Sequence, residues 1–161
     1  MRLNGIHLAL SAAVAVGLVA GAVHVGPAAQ GAAVKRSDAV VKASASADKP
    51  GADGKQVVTI TLKIDDGWHI YANPVGNEDL TSSQTKVTVE GKKAEEVQID
   101  YPTGKLTNIM GDKLSIYEGE VAIKATLNRA KDDAPLKLKV KFQACNEKSC
   151  LQPATVELTV Q

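Results

Sequence analysis

Apolar and polar residues alternate along most of the chain from residue 57 onward. In VVTITLKI, Val58, Ile60, Leu62 and Ile64 interleave with Thr59, Thr61 and Lys63, the period-two pattern of a strand with one buried face. The same alternation runs through KVTVE (Val87, Val89), EVQIDY (Val97, Ile99, Tyr101), EVAIKATL (Val121, Ile123, Ala125, Leu127), LKLKVKF (Leu136, Leu138, Val140, Phe142) and TVELTV (Val156, Leu158, Val160). Asp65, Asp66 and Gly67 turn the chain into WHIYA, an extended piece with Trp68 and Ile70 on one side and His69 and Tyr71 on the other. Turn-forming residues separate the runs at NPVGN, EGKK, YPTGK and NRAKDDAP. About seven short strands at this spacing, with no convincing helical period, predict an all-β fold, an antiparallel β-sandwich.

The amino end has a different character. Residues 1–31 open with Arg2, continue through an apolar run from Ile6 to Val25 and reach small residues at Ala29 and Gly31, which reads as an export signal. The run is long and interrupted by His7 and His24, so an uncleaved N-terminal membrane anchor is the alternative. Either reading places the rest of the chain outside the cytoplasm, and no cysteine near the signal's end offers a lipoprotein attachment point. Residues 32–55, rich in Ala, Ser, Lys and Asp without a sustained apolar period, read as a flexible linker. A short helix over AAVKRSDAVVKA is the weaker reading, because so short a segment barely holds together alone. Residues 56–161 then form the folded domain, long enough for one modest core.

Charge narrows the chemistry. A formal net charge of +1 and the absence of a basic stripe interleaved with aromatics argue against a nucleic-acid or membrane-surface role. Two of the three histidines fall in residues 1–31, and no glycine-rich strand-to-helix turn occurs. A serine triad, a carboxylate pair or a nucleotide loop therefore has nothing to build from.

The remaining chemistry lies in FQACNEKSCLQP, which holds the only two cysteines, Cys145 and Cys150. Facing residues of an antiparallel pair stand roughly 4.5–5.5 Å apart at Cα, within the roughly 4.4–6.8 Å that a disulfide spans, so the turn NEKS lets the sulfurs bond. Counting along LKLKVKFQAC puts Cys145 on the face of Lys137, Lys139, Lys141 and Gln143, a parity that predicts solvent exposure. Counting back from Val160, Leu158 and Val156 puts Cys150 on the buried parity, so one strand must lose register, with Pro153 the expected break. A loop this short stabilises a fold by only about 2 kcal/mol on the chain-entropy model, against nearly 5 for a loop of about a hundred residues. Solvent-facing parity and Lys148 in the turn tilt the pair toward reactivity, and Glu147 opposes that effect. Three readings stay open: a structural disulfide in a non-catalytic binding domain, a redox pair, and a Cu(I) carrier using Cys145, Cys150, Met110 and His69.

From Val57 to Val160 the chain resembles the amino-terminal periplasmic domain of the thiol:disulfide interchange protein DsbD. The resemblance rests on LKIDDGWHIYANPV, YPTGKLTNIMGDKLSIYEGEVAIKATL and LKVKFQACNEKSCLQPATVELTV, matched in order and spacing. It implies an immunoglobulin-like sandwich acting as a thiol-disulfide oxidoreductase without cofactor or metal, with Cys145 and Cys150 as the redox cysteines. Cys150 would join to partners and Cys145 would resolve. The implied donor is a thioredoxin-like protein or a membrane thiol reductase, and the implied acceptors are oxidised periplasmic proteins. Two tyrosines that flank the family's cysteines align with His69 and Tyr71, so His69 departs from the pattern. Asn108, Ile109, Met110 and Gly111 fall on the family's cap loop, where Ile109 replaces the aromatic residue that covers the cysteines. Tyr117 aligns with a tyrosine after the cap and Trp68 reads as a core anchor. Full-length members continue into a multi-helix membrane domain and a thioredoxin-like domain; with Gln161 the last residue here, the expectation is a donor on a separate protein or a different role for the domain.

Overall fold

The structure is a computed structural model, and it describes residues 34–109, 111–129 and 134–161. The signal or anchor expected over residues 1–31 lies outside the described residues. Among those described, no helix is long and apolar enough to cross a membrane.

The molecule is all-β, an immunoglobulin-like sandwich of antiparallel strands. The strands are β1 (Val41–Ala47), β2 (Lys55–Ile64), β3 (His69–Tyr71), β4 (Lys86–Val89), β5 (Val97–Asp100), β6 (Lys105–Ile109), β7 (Asp112–Tyr117), β8 (Glu120–Asn128), β9 (Leu136–Phe142), β10 (Ala144–Cys145) and β11 (Ala154–Val160). They make three sheets, ordered β1-β2-β8-β5, β11-β9-β4 and β10-β3-β7-β6. Alternation dictates which faces meet. Val58, Ile60 and Leu62 of β2, Ile123 and Ala125 of β8, and Leu138, Val140 and Phe142 of β9 are all buried in one cluster, while Lys137, Lys139 and Lys141 point outward. At roughly 1.5–3 kcal/mol per fully buried aliphatic or aromatic side chain, this cluster is the main favourable contribution to the fold.

The expected linker over residues 32–55 is corrected. Residues 41–47 form β1, paired with β2 in the register Val41↔Ile64 to Ala47↔Val58. Val40 and Val41 are buried, and Ala43, Ala45 and Ala47 pack against the main core. The segment carries the strand period in small residues, Ala against Ser, whose hydropathy contrast is low.

β3, β7 and β10 use both of their faces. Ile70, Ala72, Tyr117 and Ala144 point into the main core, whereas Tyr71, Val75, Leu114, Ile116 and Cys145 form a second buried cluster. The chain reaches this sheet directly from β9: Gln143 is the only residue between the two strands, and Ala144 keeps the core parity of Phe142.

Candidate redox site

The second cluster fixes the environment of the cysteines. β3 lies between β10 and β7, with Cys145 opposite His69 and Ile116 opposite Tyr71. β6 completes the sheet, Thr107 facing Leu114 and Ile109 facing Asp112. Period two then places His69, Tyr71, Thr107, Ile109, Ile116 and Cys145 on one face, the face turned away from the main core.

Cys145 and Cys150 are disulfide-bonded, with Cα atoms 4.0 Å apart, across a single antiparallel bridge. Asn146 shapes the intervening turn: its side-chain oxygen accepts from the N–H groups of Lys148 and Ser149, each at 2.9 Å, and its own N–H donates to the Ser149 carbonyl at 2.9 Å. An asparagine side chain folding the backbone two and three residues on is an Asx turn. Below the turn, Leu151 N–H donates to the Ala144 carbonyl at 2.8 Å and Gln143 Nε2 donates to the Leu151 carbonyl.

The solvent expectation for Cys145 is corrected, and the register break expected before Cys150 is found. Cys145 is only 2% exposed, and Cys150 is exposed. The parity of Cys145 is as counted, opposite Ala144, but in this sheet the face away from the main core is covered by Tyr71, Val75, Leu114 and Ile116. For Cys150 the register is lost where Pro153 suggested: the β11 ladder begins at Ala154, Leu151 packs on the core, and Gln152 bridges Arg36 in parallel.

Around the disulfide is an open pocket of about 480 Å³, lined by His69, Tyr71, Thr107, Asn108, Ile109, Ile116, Glu118 and residues 145–150. Of the sequence-expected residues, Cys145, Cys150, His69, Tyr71, Asn108 and Ile109 are thus brought together. The expected cap loop is the tip of the β6–β7 hairpin. Ile109 packs partly buried against the second cluster, and Asn108 Oδ1 accepts from Gly111 N–H at 3.0 Å. Gly111 sits at φ +97°, where a side chain would be strained. Met110 lies outside the described residues. Tyr117 is a packing residue on the core side, its hydroxyl donating to the Pro102 carbonyl at 2.8 Å. Trp68 is half-buried against the main core.

Electrostatics at the site are modest. Tyr71 Oη lies 3.7 Å from Cys145 Sγ, and burial raises the phenol pKa, so Tyr71 remains a donor. Burial lowers the His69 pKa below its ordinary 6.5, and the Glu118 charge partly offsets this. Glu118 is itself paired with Lys105 at 2.7 Å. Sequence reasoning missed Glu118 and also Ser37, which is fully buried. Ser37 Oγ donates to the Gln152 carbonyl at 2.8 Å and accepts from Ala144 N–H at 2.9 Å, tying the start of the described chain to both sides of the cysteine turn. No local pattern marks a contact between residues more than a hundred positions apart.

The fold and the site together define an all-β sandwich that holds a disulfide between one buried and one exposed cysteine at the rim of a pocket. The chain belongs to the family of the N-terminal domain of the thiol:disulfide interchange protein DsbD, whose model matches residues 36–161. That family is one of thiol-disulfide exchange, and this member carries the cysteine pair. No curated protein sequence matches the chain. Among solved structures, the N-terminal periplasmic domain of ScsB from Proteus mirabilis aligns with a TM-score of 0.53 at 17% identity, covering 73% of this chain and 44% of that one. This chain therefore spans less than half of the ScsB chain. The reduced N-terminal domain of Neisseria meningitidis DsbD gives a TM-score of 0.50 at 20% identity over 77% and 86% of the two chains. The complex of the DsbD and PilB N-terminal domains from the same organism gives 0.49 at 18% identity over 73% and 80%. At these identities the first two likenesses are likenesses of fold.

Proposed function

We propose that this domain is an exported, periplasmic thiol-disulfide exchange module. It takes reducing equivalents from a thioredoxin-like protein or a membrane thiol reductase and hands them to oxidised exported proteins through Cys145 and Cys150. The observation that supports this reading best is the asymmetry of the pair: Cys150 is exposed and Cys145 is buried, and both border one open pocket.

In the reductive half, a donor thiolate attacks Cys150 Sγ in line with the S–S bond, and Cys145 leaves as a thiolate that takes up a proton. A second donor thiol then attacks the mixed disulfide, freeing reduced Cys150 and leaving the donor oxidised. In the delivery half, the Cys150 thiolate attacks a target disulfide. Cys145 next attacks Cys150 Sγ, restoring the internal bond and releasing the target as a dithiol. Two electrons and two protons pass in each half. Ile109 at the hairpin tip acts as the removable cover of this site.

The test is capture. Cys145→Ala leaves the exposed thiol without its resolving partner, so expression in the native compartment is expected to accumulate mixed disulfides at Cys150. Adducts with a thioredoxin-like protein or membrane reductase support the module, and repeated absence of any adduct rejects it. A non-catalytic immunoglobulin-like domain with a structural disulfide is the second reading, favoured by the packing of Cys145 against Val75, Leu114 and Ile116.

A further inference from the structure

His69 has no part in that exchange scheme, and its surroundings are not those of a surface polar residue. Nε2 is closed off from solvent and has no hydrogen-bond partner, the one buried side-chain nitrogen or oxygen among the described residues in that condition. His69 faces Cys145 in the β10–β3 ladder, and both line the same pocket. The imidazole meets the Tyr71 ring edge-on, centroids 6.2 Å apart at 71°, and the Tyr71 hydroxyl reaches Cys145 Sγ from the same face. Buried polar atoms are nearly always paired, and an orphan calls for a physical reason. In the closed disulfide neither sulfur carries a hydrogen. Reduction gives Cys145 an S–H, a donor newly created on the residue that faces His69 across the ladder.

We propose that His69 is the proton carrier for Cys145: Nε2 takes the thiol proton as Cys145 attacks the mixed disulfide at Cys150, and returns it when Cys145 is expelled as a thiolate. The proposal rests on the exchange reading above. In the closing direction the Cys145 S–H bond breaks, its proton passes to Nε2, the Cys145–Cys150 bond forms, and the target sulfur leaves with the electron pair. The imidazolium then gives up its proton to the departing thiolate or to water. In the opening direction each of these transfers reverses. Tyr71 stays protonated and donates to the sulfur in either direction.

Several groups set the charge at this ring. Tyr71 shares its strand; Cys145 faces it from β10; Ile116 of β7 and Thr107, Asn108 and Ile109 of β6 are uncharged; Glu118, Glu147 and Lys148 complete the rim. Desolvation outweighs the Glu118 charge, so the imidazole is neutral near pH 7 and free to accept. A tyrosine here, the family's residue by resemblance, could donate to a thiolate but could not carry a proton near neutral pH.

The test follows single turnover of the full reduced chain with oxidised glutathione, quenched in acid, so that glutathionylation of Cys150 and closure by Cys145 are timed separately. His69→Gln is expected to slow closure at pH 7 by about tenfold or more and to leave the first step within about twofold. Added imidazole is expected to restore closure in His69→Ala. Closure within about twofold of the unsubstituted chain across the whole pH range overturns the proposal. Failure of the unsubstituted chain to form either adduct or product sinks the exchange reading itself and the proposal with it. Should the substitutions unfold the domain, the His69 C2–H resonance is titrated in the unsubstituted chain. A pKa that differs between the oxidised and reduced forms by about half a unit or more supports the coupling, and identical values refute it.

Discussion

The site depends on a few side chains whose partners are not interchangeable. Ser37 Oγ joins Gln152 and Ala144, residues that flank the cysteine turn on either side. Ser37→Ala orphans the Ala144 N–H at a fully buried position and is expected to cost about 1–3 kcal/mol, read as a lower urea midpoint with unchanged slope. Tyr71→Phe removes the hydroxyl nearest Cys145 Sγ. A hydrogen bond to a charged group is worth about 1.5–3 kcal/mol, so the Cys145 thiol pKa in a Cys150→Ala background is expected to rise by about one unit or more, measured by thiolate absorbance. His69 also gives stability a pH dependence. Its folded pKa lies below 6.5, so the unfolded chain binds more protons as pH falls through 6.5, and stability drops in that direction. Melting temperature is expected to fall on going from pH 7.5 toward pH 5.5, and less steeply in His69→Gln. The sequence made the cysteines and His69 legible because such residues are scarce: two cysteines in the chain, and one histidine outside residues 1–31. Ser37 and Glu118 are common residue types acting over long separations, and no local signal marks them.

At the level of elements, hydropathic contrast decided what could be read. β2, β4, β5, β8, β9 and β11 set Val, Ile or Leu against Lys, Thr, Glu or Gln and were legible from alternation alone. β1 has the same period, with Val41, Ala43, Ala45 and Ala47 against Lys42, Ser44 and Ser46, but small side chains blur it into linker composition. A chain beginning at Lys55 is accordingly expected to fail as a stable domain. Losing buried Val40 and Val41 alone removes about 3–6 kcal/mol, against a typical total of about 5–15, and circular dichroism melting checks this. The β6–β7 hairpin was harder to read because β6 is half exposed, with Leu106 74% accessible at the sheet edge. Its tip positions Ile109 at the pocket. Ile109→Ala is expected to speed reaction of the reduced cysteines with iodoacetamide several-fold, and an unchanged rate would show that the tip does not shield them.

Over the whole molecule, the solvent exposure of Cys145 did not follow its strand count, because the sandwich has a second buried cluster that only tertiary structure reveals. β9 delivers the chain into that sheet through a single residue, Gln143, so buried Cys145 follows within three residues of core Phe142, while Cys150 sits on a short Asx-shaped turn at the surface. One sulfur is thus anchored and the other presented. A disulfide closing so short a loop contributes only about 2 kcal/mol to stability, so the sandwich is expected to survive its reduction.

Equilibrium titration of the full chain against a dithiothreitol redox buffer, read by the mass of alkylated thiols, tests the exchange of this bond most directly. Half-reduction clearly above roughly −300 mV, with the β-sheet circular dichroism signal preserved in both forms, is the result expected of a carrier. A pair that stays oxidised below roughly −300 mV, or that opens only as the sandwich unfolds, would identify a permanent brace and contradict the account.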